Sequence, residues 1–220
     1  MTAITAPTAV AETATTAEAE VKVTRRRIDH LLVGSGLAVA VVLVVAGALL
    51  TWGSTFARDY VHDELAAQAI TFPSADALQE EGRDDLVQYA DEAVDTGTEA
   101  EAYAGYIAGH VEEIGGGKTY AELGTDQFAA EAALNDAIAN DAPQAEVDEL
   151  QATYDGIVGQ RDAMFRGEML RGALLNTFAW DTVGQIAGIA AIVAFVAAGV
   201  MALLVGAGVV HLRRLAHQTA

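Results

Sequence analysis

Two long apolar stretches, residues 31–51 and 183–210, lie near opposite ends of the 220-residue chain. Each is at least as long as the roughly 20 residues that an α-helix needs to cross about 30 Å of hydrocarbon. Between them, apolar residues recur at spacings of three and four, which is typical of amphipathic helices. The pattern predicts an all-α membrane protein in which two transmembrane helices flank an extracytoplasmic helical bundle.

This pattern divides the chain into five segments. The first 24 residues are mostly Thr, Ala and Glu with almost no large apolar side chain, so they are not expected to repay the entropy of ordering. The predicted segments are a disordered cytoplasmic tail (1–27), transmembrane helix 1 (28–52), an acidic extracytoplasmic helical domain (53–180), transmembrane helix 2 (181–212) and a cytoplasmic tail (213–220).

Arginine and tryptophan mark the ends of the two spans, at Arg25, Arg26, Arg27, Arg213, Arg214, Trp52 and Trp180. Arginine next to a span favours the cytoplasmic side, and tryptophan favours the membrane–water interface. We therefore expect both termini in the cytoplasm and residues 53–180 outside. A cleaved signal peptide is the alternative for the N-terminus, although the first apolar stretch exceeds the usual 7–15 residues of a signal core.

Charge is concentrated in the segment between the spans. Residues 58–178 hold 26 Asp and Glu against 6 Lys and Arg, a net charge of −20. Such a surface disfavours nucleic acid as a partner. It serves solubility, or it attracts cations or a basic partner domain. The absence of cysteine excludes disulfides and thiolate chemistry in this domain.

Apolar periodicity and turn residues predict the helices of the acidic domain. The first helix continues past the span to Ile70, before Pro73. A second helix is predicted over 84–94, and a third over 99–114, where Thr98 and Glu101 form a capping box. Glycines 115–117 end the third helix.

The remainder of the domain is predicted to be helical as well. Residues 119–123 form a short turn, after which Thr125 caps a helix that buries Phe128, Leu134 and Ile138. From Gln144 onward, apolar residues at spacings of three and four predict a core-facing helix that runs into the second span, with Val147, Leu150, Tyr154, Ile157 and Met164 on its buried face.

Small residues recur within the spans, and we expect them to pack helix against helix: Gly36, Ala40, Gly184, Gly188, Ala194 and Ala198. Small side chains let helix backbones approach closely in lipid. The seam joins the two spans or contacts another membrane subunit. General alanine richness is the alternative explanation.

No catalytic or cofactor-binding motif is readable in the chain. Gly-Gly-Gly-Lys-Thr at 115–119 is excluded as a phosphate-binding loop, because Glu112 occupies the position of its first glycine. The weak candidates for a metal site are His62, Asp59 and Asp63. Acidic residues are frequent enough to accompany any histidine by chance, so neither a metal site nor a cofactor is predicted.

Residues 165–176, FRGEMLRGALLN, lead directly into the second span, and a similar sequence recurs in 103–120. In these stretches the chain resembles a functionally uncharacterised family of actinobacterial two-span membrane proteins. The resemblance implies residence in a bacterial plasma membrane and no particular activity.

These observations favour a non-catalytic integral membrane protein, an accessory subunit or an envelope or assembly factor. Its expected partners are the lipid bilayer and a membrane protein or a second copy of itself. One alternative is an extracytoplasmic sensor input module with a chemoreceptor-like layout. Because six residues follow Arg214 in the sequence, it would signal through a separate output protein. An enzyme without a readable motif is the other alternative.

Overall fold

The computed structural model describes the backbone of residues 8–218 and the side chains of residues 27–215 and 217. Within these residues the fold is all-helical, as the periodicity predicts, and has no β-strand. The elements are α1 (Thr8–Gln68), α2 (Ala75–Glu80), a 3-10 helix (Asp84–Tyr89), α3 (Gly97–Gly115), α4 (Tyr120–Ala139) and α5 (Gln144–Gln218).

The chain divides into two compact units. The apolar unit comprises the chain up to Gly53 and from Ile186 onward, and the acidic unit is Ser54–Gln185. The acidic unit thus extends five residues beyond the predicted boundary at 180.

Helix α1 begins earlier than expected. A disordered tail is predicted for residues 1–27, whereas the backbone is helical from Thr8 onward, and residues 1–7 lie outside the described part. Alanine, glutamate and arginine make up 11 of residues 8–27, and they are strong helix formers even where no apolar face is available for packing.

The apolar unit is held together by one seam between α1 and α5. On α1 the less exposed positions are 33, 36, 40, 43, 47 and 50, and on α5 they include 191, 194, 198, 201, 205 and 208. A Cβ built on Gly36 would lie 2.9 Å from Val205 Cγ2, and one on Gly208 would lie 2.8 Å from Val33 Cγ2. Alternating spacings of three and four are the pattern of left-handed, coiled-coil-like packing.

Three apolar clusters form the core of the acidic unit. The largest joins α1, α3 and α5 and consists of Val61, Leu65, Phe72, Val94, Ala100, Ala104 and Leu174. The second packs Leu78 and Leu86 against Tyr106 of α3. The third packs Val111, Leu123 and Met164, from α3, α4 and α5.

The predicted helix over 84–94 is wrong beyond Tyr89. A 3-10 helix covers Asp84–Tyr89, a turn follows at 90 and 91, and residues 92–94 then pair with residues 70–72. The Val94 N–H donates to the Ile70 carbonyl and the Phe72 N–H donates to the Glu92 carbonyl, both at 2.9 Å. This pairing, centred on an isolated bridge between Thr71 and Ala93, is a long-range interaction that outweighs the local helical pattern.

Helix α3 begins at Gly97 instead of Glu99, and its capping box is Thr96 with Glu99 instead of Thr98 with Glu101. The carboxylate of Glu99 accepts from the N–H groups of Asp95 and Thr96, each at 2.9 Å. At the other end, Gly116 adopts a left-handed conformation with φ of 59°, so the predicted glycine stop is confirmed.

Residues 119–139 form one helix instead of a turn followed by a helix. Thr119 caps α4 through a box with Glu122. Leu134 is buried as expected, but Phe128 and Ile138 are 69% and 53% exposed. Each of these two lies one position away from the series 123, 127, 130, 134 and 137, which is buried or half-buried.

The predicted seam of α5 is confirmed. Met164 is 2% exposed, and Val147, Leu150, Tyr154 and Ile157 are half-buried. Helix α5 is uninterrupted from Gln144 to Gln218.

Candidate functional site

The apolar unit exposes most of its large side chains. Leu31 of α1 is 72% exposed and Leu203 of α5 is 76% exposed, and similar values recur along both helices. Both helices are long and apolar enough to cross a membrane. Monomeric soluble proteins rarely expose contiguous apolar patches of this extent, whereas a lipid-facing surface requires them.

The residues that sequence reasoning places at the membrane edges are accessible where they are described. Trp52 is 69% exposed and Trp180 is 52% exposed. Arg27, Arg213 and Arg214 are exposed as well. Arg25 and Arg26 lie in the helical part of α1, but their side chains fall outside the described residues. Trp52 belongs to the apolar unit and Trp180 to the acidic unit.

Four of the six small residues singled out in the sequence lie on the seam of the apolar unit. Gly36 is half-buried, and Ala40, Ala194 and Ala198 are at most 9% exposed. Gly188, of the same unit, is half-buried.

Gly184 belongs to the acidic unit, where a Cβ on it would lie 3.1 Å from the Cβ of Ala57. Farther along α5, Ala202 and Gly206 are exposed. The small residues from Ala194 to Gly206 are spaced by four. Because a helix has 3.6 residues per turn, residues spaced by four do not stay on one face, and they leave the seam after a few turns.

A groove of about 250 Å³ lies between α1 and α5 in the apolar unit, close to the predicted cytoplasmic end. Asp29 and His211 line it together with apolar residues and with Gly36 and Gly208. Asp29 and His211 are among the few ionisable side chains in this unit, besides the arginines at the ends of its apolar segments.

A larger polar crevice, of about 580 Å³, lies in the acidic unit. Asp59, His62 and Asp63 of α1 line it, and Asp95 and Asp181 complete its acidic wall. Arg58, Thr55, Thr96 and Val61 are the other lining residues. Sequence reasoning identified the three α1 residues but could not show which residues from other elements would face them.

His62 is the best-positioned base of this crevice. Its Nδ1 lies 3.3 Å from the carbonyl oxygen of Asp95, so it can donate there as Nδ1–H and leave Nε2 as an acceptor. The candidate metal residues His62, Asp59 and Asp63 share the crevice. In the described part of the chain, however, no three His, Asp or Glu side chains are grouped closely enough to hold an ion.

Asp181 is the crevice residue that sequence reasoning did not connect with the others. Its side chain lies in the acidic unit, and the residue is only 7% exposed. Its Oδ2 accepts a hydrogen bond of 2.8 Å from Gln185 Nε2. The spacing of four residues between Asp181 and Gln185 is the feature of the sequence that predicts this hydrogen bond, because it places the two side chains on one helix face.

A second polar cluster ties α2 and the 3-10 helix to α3. Arg83 Nη1 donates to the Gly105 carbonyl at 3.0 Å, while Nε and Nη2 donate to the carboxylate of Asp85. The hydrogen bond with Asp85 raises the pKa of Arg83, and the same bond lowers the pKa of Asp85.

Glu81 is the acceptor at the other edge of this cluster. Tyr106 Oη donates to Glu81 Oε1 at 3.3 Å, and His110 Nε2 lies 3.9 Å from Glu81 Oε2. Burial first, and then the hydrogen bond to Glu81, raise the pKa of Tyr106 to about 12. His110 therefore faces Glu81, not its near sequence neighbour Glu113. All these contacts hold the α2 region on α3, which is a structural role.

No protein-family model, no curated protein and no solved structure matches this chain.

Proposed function

We propose that this chain is a bacterial plasma-membrane protein that crosses the bilayer twice and acts without catalysis, through protein contacts. The exposed apolar surface of α1 and α5 is the observation that carries the proposal. Each Å² of such surface left in water costs about 25 cal/mol, so a bilayer is its natural surrounding.

The arginines give the proposed orientation. Arg27, Arg213 and Arg214 end the apolar segments on the same side and are exposed. By the positive-inside tendency this side is cytoplasmic, and the acidic unit lies outside. Its net negative charge agrees with a surface that remains hydrated and contacts proteins, not nucleic acid.

Within this layout the proposed role is that of an accessory subunit or of an envelope or assembly factor. The seam of small residues joins α1 to α5, so the outward faces of both spans are free to meet lipid or another membrane helix. The acidic unit also keeps exposed apolar side chains, such as Met169 at 60%, that its own core does not use.

Cysteine labelling tests the orientation, because the natural chain has no cysteine. A membrane-impermeant maleimide added to intact cells should label Ala152→Cys in the acidic unit. His217→Cys should react only after permeabilisation. Labelling in the reverse order, or of both variants in intact cells, would contradict the proposed topology.

Cross-linking on intact cells followed by mass spectrometry tests the role. A reproducible companion membrane protein, or a second copy, is expected. Recovery of a lone protomer, both in cross-linked cells and after purification in mild detergents, would overturn the accessory role while leaving the topology intact.

The crevice favours one second candidate, a sensor input module. It is lined by α1, the residues just before α3, and α5, so a small cationic ligand bound there would contact the long helices directly. Spermidine should then slow proteolysis of the acidic unit in the full chain, and Asp63→Asn should reduce that protection. Equal proteolysis with and without spermidine would remove the observation that favours a sensor of cationic ligands.

A further inference from the structure

Helix α5 carries a second stripe, on the side away from its seam. Met164 and Leu174 on the seam are buried, whereas a series starting at Val158 is exposed throughout. At about 100° per residue the two faces lie roughly 150° apart. We call this series the outer stripe of α5; it consists of Val158, Asp162, Phe165, Met169, Gly172, Asn176, Ala179 and Val183.

The spacing of the outer stripe is that of a helix–helix interface. Its members follow one another at alternating intervals of four and three residues, which is the pattern of a coiled-coil seam. Phe165 and Met169 are 52% and 60% exposed. The ring centroid of Phe165 lies 6.2 Å from the ring centroid of Tyr120 of α4. Aromatic residues and methionine are enriched in protein interfaces.

Charge distinguishes this stripe from the rest of the acidic unit. Residues 58–157 hold 24 Asp and Glu against 3 Lys and Arg, whereas residues 158–178 hold 2 against 3. Arg166 pairs with Asp162 at 2.7 Å, and Arg171 pairs with Glu168 at 3.2 Å. Two copies of so acidic a unit repel each other across most of their surface, and this repulsion is weakest along the segment that carries the outer stripe.

We infer that a second copy of this chain docks along the outer stripe, α5 beside α5. The inference rests on the proposed topology, because two copies inserted with the same orientation present their stripes at the same height and in parallel. A Cβ at Gly172 would meet no atom within 4 Å, so the backbones can approach there. Asn176 then faces its own counterpart, and a polar residue at such a position specifies register. Asp162, the other polar residue of the stripe, is paired with Arg166 of its own helix.

Disulfide cross-linking in native membranes tests the inference, because the natural chain contributes no thiol. Met169→Cys and Asn176→Cys lie on the stripe. Their matched controls, Leu170→Cys and Leu175→Cys, are exposed neighbours about 100° around the helix. After mild oxidation the two stripe variants should give several-fold more disulfide-linked homodimer than their controls.

A second variant tests the charge argument. Arg166→Glu with Arg171→Glu, in the Met169→Cys background, makes residues 158–178 acidic and should lower the cross-linked fraction several-fold, with partial recovery at high salt.

Equal cross-linking of stripe and control variants, no homodimer although all four thiols react with maleimide in detergent, or a cross-link from Met169→Cys to a different protein would each overturn the inference. Maleimide labelling of intact cells reports topology separately. A failed stripe with correct labelling therefore leaves the membrane proposal standing.

Discussion

The side chain of Asp181 on α5 lies directly against the backbone of Gly97, the first residue of α3. A Cβ built on Gly97 would lie 2.4 Å from the Cβ and 2.6 Å from the Oδ2 of Asp181. Real Cβ atoms essentially never approach other atoms so closely, so only glycine fits at the start of α3. This contact fixes α3 against α5 inside the acidic unit.

Gly97→Ala should therefore destabilise the acidic unit. Overpacking of this kind costs about 1–3 kcal/mol. Thermal unfolding of the full chain in detergent should show a lower midpoint. Gly156→Ala is the control, because nothing lies within 4 Å of its Cβ position in the middle of α5. It should leave the midpoint unchanged or raise it. Equal effects of both substitutions would contradict the close contact.

The capping box of α3 makes stability depend on pH. Burial acts to raise the pKa of Glu99, but the hydrogen bonds from the N–H groups of Asp95 and Thr96 outweigh it, so the net pKa is lowered. The contribution of Glu99 to the free energy of unfolding is complete above the ordinary glutamate pKa of about 4.3. It is lost as pH falls through the lower pKa of the folded state.

Glu99→Gln should accordingly flatten the loss of stability between about pH 5 and pH 3. Thr96→Ala should cost about 0.5–2 kcal/mol at neutral pH. Glu101→Gln, at the position that the sequence also offers for the box, should match the natural chain in chemical denaturation. If Glu101→Gln were the more damaging change, Thr98 and Glu101 would be the true cap.

Tyr106 makes the acidic unit sensitive to alkali. The pKa of Tyr106 is raised to about 12. Its contribution to the free energy of unfolding is therefore complete below the ordinary tyrosine pKa of about 10 and is lost as pH rises toward 12. Unfolding of the natural chain should therefore steepen in that window, and Tyr106→Phe should remove the added steepness. Tyr60→Phe, at a side chain 53% exposed, should behave as the natural chain does. Identical alkaline profiles for all three would sink this prediction.

Helix α1 offers a matched pair of glycines two residues apart in the apolar unit. A side chain at Gly36 meets Val205 and Met201, whereas one at Gly34 meets nothing within 4 Å. Gly36→Leu should weaken the contact between α1 and α5 by about 1–3 kcal/mol, as overpacking does. Gly34→Leu should have little effect. Unfolding in mixed micelles with increasing SDS measures both, and equal sensitivity would place the seam elsewhere.

How far the sequence predicts this structure depends on the range of the interactions concerned. The two long apolar helices and the buried series ending at Met164 follow from local periodicity, and the structure reproduces them. The capping box was displaced by two residues because Thr96-Gly-Thr98-Glu99-Ala-Glu101 contains two overlapping boxes. The first of them is accompanied by the fit between Gly97 and Asp181, which lie 84 positions apart.

The crevice and the segment after Tyr89 were beyond sequence reasoning for the same reason. The hydrogen bond of His62 to Asp95 joins residues 33 positions apart. The residues at 92–94 continue a helical apolar pattern, yet they pair with 70–72, and no local signal distinguishes the two outcomes. Phe128 and Ile138 were expected in the core because both are apolar. The sequence of α4 does not show which of its faces packs against other helices.

The short pairing between residues 70–72 and 92–94 restricts insertions and deletions in the connection after α1. Phe72 and Val94 point inward and Thr71 and Ala93 outward, so inserting or deleting one residue between Gln68 and Phe72 would turn an aromatic ring out to solvent. The connection after α1 has irregular backbone, where length changes are ordinarily tolerated. Here its length should be as strictly maintained as that of a strand inside a sheet.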